Sequence, residues 1–92
     1  MVKGFPEFVR HEVGEAQHWV CKHCTERIDD FHHMLPNTEV HRENFPLFLN
    51  SPMNCVGLCK SCHEKYAHLY RVSFTMAEVY ESWLEMKLNE RS

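Results

Sequence analysis

The sequence predicts a small α+β domain held together by more than its own apolar core. Three observations predict it. At 92 residues the chain suffices for one domain but is too short for a generous core. Two Cys-x-x-Cys pairs, Cys21-Lys22-His23-Cys24 and Cys59-Lys60-Ser61-Cys62, stand 34 residues apart. Two short runs with strand character, one before and one after a long polar loop, are followed by two segments with helical character. Residues 1–92 are expected to form a single domain, with its core over about 19–71 and an additional carboxy-terminal helix over about 75–89.

The elements follow in order. Residues 1–18 form a lead-in, where Pro6 fits the first turn of a short helix ending near Gly14. The segment Met1-Val2-Lys3-Gly4-Phe5-Pro6-Glu7 has no continuous apolar stretch and meets an acid early, which does not read as a signal peptide. Trp19-Val20 leads into the first cysteine pair. Ile28 to Leu35 is apolar enough for a strand. Pro36 to Met53 carries Pro, Asn and Ser at turn-like positions and reads as a long loop of the kind that wraps a site. Val56 to Leu58 reads as a second strand, and Cys62 to about Arg71 as a helix. Thr75-Met76-Ala77-Glu78 fits a capping box that opens the last helix. Met76, Val79, Tyr80, Trp83 and Met86 then recur at helical spacing and are expected to pack into the core. Glu78, Glu81, Glu85 and Glu90 are expected on the outer face. No repeat or low-complexity stretch is present, and no apolar run approaches the roughly 18 residues of a membrane span. A membrane is therefore not an expected partner.

The cysteines carry the first chemical reading. Each Cys-x-x-Cys knuckle presents two sulfurs on one side of a tight turn, and two knuckles complete a tetrahedron around zinc. Cys21, Cys24, Cys59 and Cys62 are thus expected to hold structural Zn2+, supplying the staple that a small core needs. Five cysteines in a chain without an export signal fit a reducing, intracellular setting better than disulfides. Cys55 falls outside the spacing and is read as a buried or spare thiol. Cys59-x-x-Cys62-His63 also matches a c-type haem attachment pattern, but that reading needs export and leaves Cys21 and Cys24 unexplained.

The histidines carry the second. Phe31-His32-His33-Met34-Leu35-Pro36 lies between the knuckles, and Asn54 stands nine positions before His63, which directly follows Cys62. Adjacent histidines on a strand point to opposite faces, so one can bind a metal while its neighbour addresses a water. Asp29 and Asp30, just before the pair, can orient an imidazole or simply form a turn. His11, His18 and His41 read as surface residues and His23 as solvent-exposed. Asn44 and Asn50 read as loop residues, with Asn54 preferred because of its spacing to His63.

The combination Cys-x-x-Cys, His-His-(apolar)-x-Pro, Asn-x8-His and Cys-x-x-Cys-His resembles the zinc-knuckle HNH, or ββα-metal, endonucleases over about Cys21 to Arg71. The resemblance implies a β-hairpin packed on the helix after Cys62, and a metal-dependent enzyme that hydrolyses phosphodiester bonds of DNA. It implies His33 as general base, His32 and His63 as ligands of a catalytic divalent cation (Mg2+, Mn2+, Ni2+ or Zn2+), and Asn54 as the brace of the hairpin. Some relatives carry a third ligand four residues after the final histidine. Here that position is Ala67, with His68 beside it, and the glycines many relatives place in the central loop are missing. The setting implied is the cytoplasm of a bacterial cell or phage-infected host.

Charge constrains this reading. The net charge is −3, from 10 Lys and Arg against 13 Asp and Glu. Residues 21–71 are balanced: Lys22, Arg27, Arg42, Lys60, Lys65 and Arg71 offset Glu26, Asp29, Asp30, Glu39, Glu43 and Glu64. Lys60, Lys65 and Arg71 form the expected nucleic-acid-binding strip, with modest, salt-sensitive affinity. The acidic face of the last helix should point away from DNA. A partner protein or a homodimer through that helix is expected to add grip. The rival reading is a non-catalytic zinc-binding module for protein or nucleic-acid interaction, with its histidine pair buried as structure.

Overall fold

The computed structural model describes residues 4–90. Met1 to Lys3 of the amino-terminal reading, and Arg91 and Ser92 at the other end, lie outside the described residues. The described chain is a small α+β fold: a two-stranded antiparallel sheet, four α-helices and two short 3-10 turns. Helix α1 spans Glu7–Ala16, β1 Asp30–His33, α2 Glu39–Asn44, β2 Cys55–Leu58, α3 Lys60–Tyr66 and α4 Phe74–Glu90. No helix among the described residues is long and apolar enough to cross a membrane.

Pro6 precedes α1 with φ of −57°, and its carbonyl accepts the amides of Val9 and Arg10 at 3.1 and 3.2 Å. The helix runs past Gly14, which is buried inside it. This glycine marks a close approach rather than a helix end, since a β-carbon there would collide with the Trp19 ring. The chain reverses through His18 and Trp19, both at positive φ (58° and 61°), and the Trp19 amide donates to the Gly14 carbonyl at 2.8 Å.

The strands pair Asp30 with Leu58, Phe31 with Gly57, His32 with Val56 and His33 with Cys55. Alternation along the strands then gives the sheet two different faces. Phe31 and Cys55 pack against Phe5, Val9 and Val13 of the α1 segment. Val56 and Leu58 pack against Cys21, Cys59 and Cys62, with Met34 and Tyr70 at the margin. The first strand is shorter than the Ile28–Leu35 run because residues at both ends bond elsewhere. The Ile28 amide donates to the Trp19 carbonyl at 3.2 Å, and the Leu35 amide to the Asn54 side chain at 2.7 Å.

Part of the expected long loop is helical. Thr38 Oγ1 accepts the His41 amide at 3.2 Å and caps α2, a helix of 6 residues, too short to show a periodic pattern. Beyond it Phe45, Phe48 and Leu49 join Leu35 and Ala77 in a separate apolar cluster. Helix α3 starts two residues before the expected Cys62, because Cys59 Sγ accepts the Cys62 amide at 3.4 Å and acts as the cap. It ends at Tyr66 and tightens into the 3-10 turn Ala67–Leu69. Ser73, not Thr75, caps α4, with its Oγ accepting the Met76 amide at 3.2 Å.

The orientation of α4 departs most from expectation. Met76, Val79, Trp83 and Met86 remain 45%, 57%, 46% and 61% exposed, while Ala77 is fully buried and Tyr80 and Leu84 are partly so. Glu81, expected outside, is only 5% exposed. Its carboxylate accepts the Leu47 amide at 3.1 and 3.2 Å and the Phe48 amide at 2.8 Å. The turn at 46–50 carries backbone N–H groups that need acceptors once buried. A carboxylate satisfies two of them, and the helix is rotated to bring it there. Glu81→Ala is accordingly expected to lower stability by about 2–4 kcal/mol in urea unfolding, from the loss of charge-assisted bonds to buried amides. Glu85→Ala, on the exposed side, should stay within about 0.5 kcal/mol of the parent.

Candidate metal centre and histidine cluster

Local backbone chemistry builds each knuckle. A bridge between Val20 and Arg27 and a 2.7 Å bond from the Cys21 amide to the Glu26 carbonyl close the first loop. The Glu26 amide donates to Cys24 Sγ at 3.4 Å, and the Lys22 amide ties the loop to the sheet through the Gly57 carbonyl at 3.0 Å. The second knuckle leaves β2 at Cys59 and enters α3. There Asp29 Oδ2 accepts the Lys60 amide at 2.8 Å, joining the two knuckles.

The four sulfurs of Cys21, Cys24, Cys59 and Cys62 all lie within 4.8 Å of one another. Cys24 Sγ and Cys59 Sγ are 3.6 Å apart. A tetrahedral zinc with bonds of about 2.3 Å requires sulfur–sulfur edges of about 3.8 Å, so the donor set fits. A disulfide needs about 2.05 Å, and all five cysteines are free thiols. The four cysteines are arranged to hold a metal ion and are compatible with structural zinc. Among the described residues no other set of three or more Cys, His, Asp or Glu ligand atoms converges in this way. The thiols that haem attachment would use are thus already gathered with Cys21 and Cys24.

Burial, then the neighbouring thiols, pushes the Cys62 thiol up. A divalent cation among the sulfurs reverses that balance by favouring thiolates outright. Cys55 sits apart, facing α1, where burial pushes its thiol up to about 12, so it stays neutral.

The sheet separates the three histidines of interest. His32 and His63 meet on the cysteine face, with ring centroids 5.2 Å apart. His33 lies toward α1, stacked on Phe5 at 3.7 Å with an interplanar angle of 10°. Each imidazole has one nitrogen held by an oxygen acceptor. His32 Nε2 donates to the Tyr70 carbonyl at 3.0 Å. Since a carbonyl can only accept, the lone pair of neutral His32 resides on Nδ1. His63 Nδ1 lies 3.3 Å from Asp30 Oδ2, which leaves Nε2 as its free nitrogen. His33 Nε2 donates to Asn50 Oδ1 at 2.9 Å, freeing Nδ1. Such second partners orient histidines in metal and general-base sites.

Burial lowers the pKa of His32; the Tyr70 carbonyl opposes this, and His63, His33 and Arg71 reinforce it. Burial also lowers His33, against the Asn50 bond. Both rings are therefore neutral near pH 7.

Asn54 is fully buried. Its Oδ1 accepts the Leu35 amide at 2.7 Å, and its Nδ2 donates to the Leu35 and Leu49 carbonyls at 3.1 and 2.9 Å. It thereby ties the end of β1 to the segment entering β2. Asp30 meets an imidazole, as one of its two readings had it, whereas Asp29 forms no turn and accepts the first amide of α3.

Lys60, Lys65 and Arg71 are exposed, as is His68. His11 is exposed and lies 3.5 Å from Glu15. His41 is only partly exposed, because its Nδ1 donates to the Pro36 carbonyl at 2.7 Å. His23 is exposed, as expected, while its ring stacks on Tyr66 at 4.1 Å and bonds the Tyr70 hydroxyl at 3.1 Å. Phe5, Asn50 and the Tyr70 carbonyl were not legible as site groups, since none has a fixed sequence spacing to the histidines.

No protein family, curated protein or solved structure matches the chain.

Metal analysis of the purified protein should give one tightly held zinc per chain, lost with cooperative structure on strong chelation. Cys24→Ser should lose both. The binding energy of such sites, about 10–16 kcal/mol, rivals the entire stability of a small domain. Cys55→Ser should keep its zinc, and a zinc-free Cys55→Ser protein would contradict the ligand set.

Proposed function

We propose that this protein is a metal-dependent endonuclease of the HNH type that hydrolyses DNA phosphodiester bonds. The observation that carries the reading is the meeting of His32 and His63 across the hairpin and α3, each with one nitrogen fixed and one free. The order β1, β2, α3 supports it, because it corresponds to the hairpin-and-helix core that the sequence resemblance implies.

In this reading His32 and His63 hold the catalytic cation. A divalent ion there supplies positive charge beside a phosphate, and imidazole donors suit Mn2+, Ni2+ or Zn2+ while admitting Mg2+. His33 acts as the general base. Its neutral ring offers a lone pair to a water, and general-base catalysis of this kind contributes about 10²–10⁴-fold. His32 and His33 flank the free edge of β1 on opposite faces, so a phosphodiester lying along that edge can address both. Asn54 keeps the end of β1 in place. Lys60, Lys65 and Arg71 meet the DNA backbone, and the acidic residues Glu78, Glu85 and Glu90 remain exposed on α4. The net charge of −3 makes the grip weak and salt-sensitive, so a partner protein or a second copy of the chain assists binding.

One observation favours a second reading, a non-catalytic zinc module for protein or nucleic-acid interaction. His33 stacks on Phe5 on the face opposite His32 and His63, as a purely structural histidine would.

Incubation of supercoiled plasmid with the purified protein and a panel of divalent cations separates the two. The nuclease reading requires nicked or linear DNA ending in 5′-phosphate and 3′-hydroxyl with at least one metal. His33→Ala should reduce cutting by about 10²–10⁴-fold with zinc content and melting unchanged. His63→Ala should raise the concentration of added metal needed for cutting without releasing the thiolate-bound zinc. Cleavage by pure His33→Ala protein at the parent rate would reject the base assignment, and no cleavage under any metal would leave the zinc-module reading standing.

A further inference from the structure

The ring of His33 is held from two sides by residues that belong to neither the cysteine nor the histidine pattern. Phe5 lies parallel to it at 3.7 Å. Phe5 is itself only 2% exposed and locked among Val9, Val13 and Cys55, so it is a rigid wall. Asn50 Oδ1 meets Nε2 at 2.9 Å at the edge of the ring.

Asn50 is exposed, yet its backbone is fixed by neighbours on both sides. The Leu49 carbonyl accepts from buried Asn54 at 2.9 Å. The Ser51 amide and hydroxyl both donate to the Phe48 carbonyl, at 3.0 and 2.8 Å, and the Phe48 amide is held by Glu81 at 2.8 Å. A chain of bonds thus runs from α4 through the turn at 46–50 to the imidazole.

We infer that Asn50 and Phe5 are positioning residues for His33. Asn50 fixes the proton on Nε2, Phe5 fixes the plane of the ring, and Nδ1 is left as the atom that takes a proton from water. The functional meaning rests on the nuclease reading above; the geometric assignment does not. A base must sit within about 2.6–3.2 Å of the water it deprotonates, and a displacement of about 1 Å can cost a hundredfold in rate. A free imidazole rotates about its χ2 bond, and a hydrogen-bond acceptor at one nitrogen together with a parallel wall restricts that freedom.

The test uses the zinc-loaded full-length protein in three forms: parent, Asn50→Ala and Asn50→Asp. Asn50→Ala should lower the single-turnover cleavage rate by about ten- to a hundredfold, with KM and melting temperature unchanged. Asn50→Asp keeps an acceptor oxygen and should restore most of the rate. If alanine leaves the rate unchanged, or if aspartate fails to restore it, the assignment is overturned; in the second case the amide is donating to Nε2. A readout independent of cleavage is the His33 ring N–H in proton–nitrogen NMR spectra. It should be Nε2-bound and protected from solvent exchange in the parent and Asn50→Asp, and exchange-broadened in Asn50→Ala. Phe5→Leu should keep this signal in the parent position while lowering the rate, because the hydrogen bond remains and the parallel wall is lost. A protected Nε2–H in a parent protein that never cuts DNA would sink the nuclease reading and uphold the positioning geometry. Cutting by a parent protein whose proton sits on Nδ1 would do the reverse.

Discussion

The convergence of four sulfurs is the constraint on which the rest of the structure depends. The cluster that packs against the inner face of the sheet is made largely of the cysteines themselves, with only Val56 and Leu58 as fully buried aliphatic members. The other two apolar clusters lie elsewhere, one under α1 and one between α4 and the turn after α2. A chain of 92 residues divided among three small cores gains little from any one of them. A metal held by these four sulfurs would join the loop at 21–24 to the start of α3 and so fix the sheet between them, with bond energy rather than buried area.

What the sequence made legible follows the same division. Cys21, Cys24, Cys59 and Cys62 were readable because metal coordination imposes a spacing that survives without knowledge of the fold. The two strands and helices α1, α3 and α4 were readable near their observed positions, although their ends moved wherever a side chain supplied a cap or an acceptor. Helix α2 was hidden because a helix of 6 residues has no periodicity to display. The outward strip of Met76, Val79, Trp83 and Met86 was misassigned to the core because apolar spacing says that a face exists, not which way it turns. Glu81 decided the direction, and its role depends on two amides more than thirty residues away. The proximity of His32 and His63 and an imidazole-orienting role for Asp30 were anticipated, whereas Tyr70, Asn50 and Phe5 were not singled out as partners of the histidines. Those contacts arise from tertiary proximity alone.

Buried polar groups give this small domain much of its definition. Asn54 satisfies three backbone groups and Glu81 two, and among the described residues no buried side-chain nitrogen or oxygen lacks a partner. Apolar contacts tolerate sliding, but hydrogen-bonded groups of this kind do not. Asn54 and Glu81 act on adjacent stretches of one loop, Leu49 and Leu47–Phe48, so the segment between α2 and β2 is anchored from the sheet side and the helix side at once. That segment carries Asn50 to His33.

The two-faced sheet carries a further implication for how such a chain can change. Side chains along a strand alternate with a period of two, so an insertion or deletion of one residue ahead of His32 would turn each imidazole to the opposite face of the sheet. An insertion would carry His32 to the position under Phe5, and a deletion would carry His33 to the position beside His63. Composition, length and apolar content would barely alter. Descendants of this sequence can therefore accept replacements that keep the alternation, yet they are intolerant of any one-residue slip within the strand.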